Sequence, residues 1–119
     1  MLYILAATLK DGQVDKFHAW AGHAEKRFAA ASPRGWRFKG IFLTSFGLGP
    51  SESEIHWEID NFAAFDAAVD THGSNGDYAK VVGEYFSHVS AGSQRGRVLR
   101  AVTDAKLQLV RNEGLALAL

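Results

Sequence analysis

Residues 1–9 are apolar at almost every position. Leu2, Ile4 and Ala6 alternate with Tyr3, Leu5 and Ala7, so a strand here presents apolar side chains on both faces. Asp11-Gly12 closes it. The period then changes from two to 3.6. Val14, Phe17, Ala21, Ala24 and Phe28 form an apolar stripe, with Lys16, His23, Lys26 and Arg27 on the other side. Asp11 or Gln13 stands where this helix opens, and Ser32-Pro33-Arg34-Gly35 stops it. A second strand is expected over about 36–46, with Trp36, Phe38, Phe42 and Phe46 pointing one way and Gly40 marking a bulge or a close backbone approach. Gly47 to Ser51 is a turn. In a third strand, 54–60, Ile55, Trp57 and Ile59 share one face, and His56, Glu58 and Asp60 share the other.

Asp60 or Asn61 caps a further helix with the stripe Phe62, Phe65, Val69 and His72. Gly73-Ser74-Asn75-Gly76 interrupts it, and a second helical piece carries Tyr78, Val81, Val82, Tyr85, Phe86 and Val89. A last strand is expected near 97–103. The order is β-α-β-β-α-β, the ferredoxin-like arrangement: an α+β fold whose four-stranded antiparallel sheet is covered by helices on one face. The other face then needs a ligand or a second subunit. Residues 1–103 make this domain. The extension 104–119, with Leu107 and Leu109 and then Leu115, Leu117 and Leu119 in alternation, is expected to dock on its own subunit or on a partner.

Composition narrows the function classes. At 119 residues the chain suffices for one domain and one core. Thirteen basic residues balance thirteen acidic ones, which disfavours nucleic acid and anionic membranes as partners. There is no cysteine, so disulfides, thiolate metal sites and thiol nucleophiles are excluded. The first residues lack a basic region and their apolar run stops at Lys10. They read as a strand, not a secretory leader or membrane span, and a cytoplasmic protein is the expectation. Lys39-Gly40-Ile41-Phe42 echoes an RNA-recognition motif, but it lies on the second strand and not the third.

The stretch Gly40-Ile41-Phe42-Leu43 through Ile55-His56-Trp57-Glu58-Ile59-Asp60-Asn61-Phe62 resembles the dimeric α+β barrel superfamily. It is similar to the NIPSNAP-like and antibiotic-biosynthesis-monooxygenase-like members, alongside stress-responsive barrel proteins and some polyketide cyclases. The resemblance implies a homodimer whose sheets pack face to face, each subunit holding a pocket between sheet and helices. The chemistry it implies ranges from cofactor-free oxygenation of aromatic substrates through aldol-type cyclisation to haem-dependent reactions, and some members have no known catalysis.

Candidate chemistry is sparse. His72 continues an apolar stripe, which turns its imidazole inward as a general acid or base, or leaves it a helix-end histidine bonded to backbone or water. Tyr78, Tyr85 and His88 share a helical face, and rings with polar tips suit a wall that orients an aromatic ligand; ordinary amphipathic packing accounts for them equally. Trp20 and Trp57 are candidate apolar walls. His56 is a further substrate-binding candidate, and with Glu58 it also fits a structural polar network that pairs with Arg37 or Lys39. No metal site is expected: His18 and His23 are five residues apart, and Asp15, His18 and Glu25 read as a solvated face. The expected function is binding of a small apolar or aromatic molecule, with cofactor-independent oxygenation, proton transfer or cyclisation on it. The alternatives are a non-catalytic dimeric binding or stress-related protein, and a haem protein with His72 or His88 as axial ligand.

Overall fold

A computed structural model describes residues 1–66, 68 and 76–102 of the chain. Val69, His72 and the extension 104–119 lie outside the described residues. Six elements follow in order: β1 (Leu2–Thr8), α1 (Val14–Ala31), β2 (Trp36–Leu43), β3 (Glu52–Ile59), α2 (Asp77–Ser87) and β4 (Arg95–Leu99). A helical turn over 64–66 follows β3. The strands form one antiparallel sheet in the order β2-β3-β1-β4, as the ferredoxin-like pattern requires.

Both helices cover the same face, and alternation assigns each strand residue to a side. Ile55, Trp57 and Ile59 of β3 are fully buried beneath the helices, as are Phe17, Ala24 and Phe28 of α1 and Val81 and Tyr85 of α2. Ala7 and Leu9 complete this core from β1 and its end. Phe28 stacks on Phe38 at 5.5 Å and meets Trp57 edge-on at 5.6 Å, which fixes α1 across β2 and β3. The Trp36 indole N–H donates to the Ala64 carbonyl at 2.7 Å and holds the turn after β3 against the sheet.

The second strand departs from the expected alternation. It ends at Leu43, and the register shifts between Phe38 and Gly40, so Lys39 and Gly40 together oppose one interval of β3. Trp36 and Phe38 face the helices. Past the bulge, Ile41 and Leu43 take over that side, and Phe42 turns to the outer face, 4.3 Å from the His56 ring. Phe46 falls in the following loop, fully exposed. Gly40 has φ 150°, a backbone setting that side chains resist, and a Cβ there would lie 3.1 Å from the Phe42 ring. The last strand starts two residues earlier than expected and ends four earlier, at Arg95–Leu99. Val14 and Phe86, assigned to apolar stripes, are 39% exposed, and Phe62 is 62% exposed in the turn before the helix.

On the outer face, β3 presents Glu52, Glu54, His56 and Glu58 as one acidic column. Arg37 and Lys39 on β2 pair with Glu58, and Arg37 also with Asp60. From β4, Arg95 reaches Glu52 and Arg97 approaches Glu54 at 3.7 Å. Because β1 runs between β3 and β4, the last two pairs strap across it. Ile4 and Ala6, the apolar outer side of β1, are 2% and 5% exposed beneath them. The second apolar face of β1 is thus covered largely within one chain.

Candidate functional site

The residues singled out in the sequence separate into three places. Tyr78 is buried from the start of α2, its ring 6.3 Å from both Trp36 and Trp57. Burial pushes its phenol well above the usual tyrosine range. Trp57 fills the centre of the core. Its indole N–H has no hydrogen-bond partner among the described residues, although the side chain is fully buried. Both residues therefore act first as packing.

The second place is the seam between α1 and α2. Trp20 stacks on Tyr85 at 6.1 Å, lies 5.3 Å from the His88 ring, and donates its indole N–H to Glu84 at 2.9 Å. Arg27 forks onto both oxygens of Glu84 at 2.8 Å and onto Asp77 at 2.9 Å, binding the two helices together. These bonds, Arg27 first and Trp20 second, hold the Glu84 carboxyl below its ordinary range. Tyr85 is fully buried, with its hydroxyl 2.9 Å from Ser53 Oγ. Ser53 donates to the Ala7 carbonyl at 2.8 Å, so the phenol donates to Ser53. Burial pushes the Tyr85 phenol up to about 12. His88 ends α2 with Nδ1 3.4 Å from Gln13 Oε1, and burial lowers its pKa, assisted by the charge of Lys10.

The third place is the outer face. His56 lies there, its Nε2 2.8 Å from Glu54 Oε1, on the opposite side of the sheet from the tyrosines and tryptophans. Its partner is Glu54, two residues before it, and Glu58 instead pairs with Arg37 and Lys39. One ligand cannot touch this histidine and the helix-side rings at once. His72 lies outside the described residues. Among the described residues no three His, Asp or Glu side chains gather into a metal site, and none of their helices is long and apolar enough to cross a membrane.

An open recess lies elsewhere. A cleft of about 240 Å³ separates α1 from the edge of the sheet, with Phe17 and Ala21 beside Ile41 and Leu43. His18 and Glu25 stand at its mouth. Between them on the helix is Gly22, where an added Cβ would meet nothing within 4 Å. Phe17 is shared: its other neighbours are Trp20, Tyr85 and His88, at 5.5, 6.1 and 5.9 Å. The ring cluster foreseen as a ligand wall thus stands one layer behind it. His18 and Glu25 read as solvated surface in the sequence, and they are exposed. The missed signal was Gly22, a glycine in a helix interior where it costs stability and removes a side chain.

No family model matches the sequence, and no curated protein matches it. Solved structures do share the fold. A NIPSNAP domain protein from Burkholderia xenovorans superposes with TM-score 0.63 at 10% identity, over 87% of this chain and 96% of that one. An antibiotic biosynthesis monooxygenase gives TM-score 0.55 at 16% identity, over 86% and 99%. SnoaB, a cofactor-independent oxygenase from Streptomyces nogalater, gives 0.52 at 12%, over 87% and 94%. At these identities the likeness is one of fold: the chain has the ferredoxin-like fold of the NIPSNAP and antibiotic-biosynthesis-monooxygenase structures.

Proposed function

We propose that this protein binds a small, largely apolar or aromatic molecule in the cleft between α1 and β2, as one half of a homodimer, and that chemistry on that molecule proceeds without a cofactor. The cleft is the observation that carries the reading. Its volume of about 240 Å³ falls below the roughly 300–1,000 Å³ of sites for drug-sized ligands, so it suits one or two rings. Its walls are apolar, and its polar groups are one imidazole and one carboxylate, which favour a phenol or similar neutral donor over an anion. The shared fold with a cofactor-independent oxygenase supports oxygenation as the reaction class, ahead of proton transfer or cyclisation. In that reaction His72 is the proposed acid or base. Tyr85, His88 and Trp20 support the Phe17 wall, Tyr78 and Trp57 the core behind it. His56 belongs to the dimer-facing side and not to the ligand.

Titration with 1-naphthol tests the binding step, read by tryptophan fluorescence because Trp20 lies next to Phe17. Wild type should show saturable quenching. Gly22→Leu should abolish it while raising thermal stability, since a helix-interior glycine costs about 1 kcal/mol against a good helix former. Equal quenching in both proteins removes the cleft from consideration. For the chemistry, His72→Ala should lose the dioxygen-dependent conversion of 1-naphthol to naphthoquinone and water while keeping affinity for the naphthol. A variant that loses only stability makes His72 structural and favours the non-catalytic reading.

Sizing in solution tests the homodimer, with twice the 13.0 kDa chain mass expected. The purified protein should show no Soret absorption. A Soret band would favour the haem reading, with His72 or His88 as axial ligand.

A further inference from the structure

The loop joining β2 to β3 carries the most exposed apolar side chains of the described residues. Phe46 and Leu48 are fully exposed, separated by Gly47 and followed by Gly49-Pro50. No charged residue occurs from Gly40 to Ser51. Two large apolar side chains two positions apart, both in water, mark a docking element. A membrane is a poor occupant: the loop carries no lysine or arginine to meet anionic headgroups.

A second copy of the chain fits better. Strands of seven, eight, eight and five residues, at about 3.3 Å per residue and about 4.8 Å apart, give a flat footprint of roughly 440 Å². A stable interface takes about 800 Å² from each partner. A Phe and a Leu, an aromatic alone burying at least about 150 Å², supply most of the difference. A receptor of matching character lies on the same outer face. A recess of about 540 Å³ opens at the far end of the sheet between Met1, Leu2 and Leu99, with Glu58 and Arg100 at its rim. The seven residues of β1 separate it from the loop, about 20 Å along the strand.

We propose that in the homodimer the β2–β3 loop of each copy seats Phe46 and Leu48 in the Met1–Leu2–Leu99 recess of the other, through a two-fold axis running across the strands. This rests on the homodimer of the preceding section and adds its orientation and its anchor residues.

The chain has no cysteine, so introduced thiols report contacts cleanly. Leu48→Cys and Leu99→Cys proteins are mixed and oxidised. The expected main product is the disulfide between the two different variants. In the double variant the bond must also form between chains, because about 20 Å within one chain exceeds the 7 Å Cα limit of a disulfide. F46S/L48S, which alters exposed positions only, should weaken dimerisation at least tenfold in sedimentation and leave the circular dichroism unchanged. A Leu48→Cys homodimer as main product places both loops at one end and overturns the orientation. A dimer whose mixed thiols stay reduced gives the recess to another occupant, such as residues 104–119, and overturns the pairing. Phe46-dependent sedimentation with phosphatidylcholine vesicles overturns it in favour of a lipid surface. A wild-type monomer removes the homodimer first and this contact with it.

Discussion

Tyr85 shows how a residue chosen for chemistry is held for structure. Its hydroxyl donates to Ser53, which donates onward to Ala7, and both side chains are fully buried. Tyr85→Phe removes one hydrogen bond and leaves Ser53 its carbonyl, so urea unfolding should show a loss of about 1 kcal/mol. The phenol also links folding to alkali. Its folded pKa is raised from 10.0 to about 12, so the neutral form is favoured in the native state. That stability is complete below pH 10 and is lost as pH rises through about 12. Tyr78 is raised in the same direction. The alkaline unfolding limb of Tyr85→Phe should therefore be shallower than that of wild type; identical limbs would mean that the phenol titrates freely. The sequence placed both tyrosines on one apolar helical face. It left open whether they met a ligand or the core, because a helical stripe has the same period in either case.

At the scale of elements, the bulge in β2 and the clamp between the helices decide the most. Gly40 was legible as an irregular position, but its consequence was not. One extra residue moves Phe42 to the outer face and puts Ile41 and Leu43 beside the cleft. Gly40→Val combines an unfavourable φ with a contact of 3.1 Å at the Phe42 ring, and should lower stability by about 1–3 kcal/mol. An unchanged melting temperature would mean that β2 re-registers without cost. The helix clamp predicts acid behaviour. Arg27 holds Glu84 and Asp77 below their ordinary values, so the associated stability is present above about pH 4.5 and is lost as pH falls through the depressed values. Arg27→Gln should flatten the acid limb of a stability–pH curve and leave the alkaline limb in place.

For the whole molecule, the outer face of the sheet is the governing surface. Its charges are matched within one chain: arginines on β2 and β4 flank the acids of β3, and two pairs strap over Ile4 and Ala6. Exposed ion pairs of this kind add little individually. Among the described residues, the apolar surface they leave lies toward the two ends of the sheet, at Phe42 and the loop residues Phe46 and Leu48, and at Leu2 and Leu99. Dimerisation through those ends should survive 0.5 M salt, where screening shortens charge interactions to a few ångströms. A dimer that dissociates at that ionic strength would assign the contact to the charges instead.

Local periodicity travels with the chain, which is why the order of elements, the clean alternation of β3 and the core residues Phe17, Phe28 and Trp57 could be read without coordinates. A strand that alternates and a helix with an apolar stripe must bury those side chains whatever surrounds them. Three things depended on neighbours distant in sequence. The bulge opposite His56 set the direction of Phe42. The arginines of β4, reaching across β1, covered a face that alone read as open. The gap between α1 and β2 became a cleft because Gly22 happens to lie over the sheet edge. Each is a relation between residues on different elements, and no period within either segment encodes it.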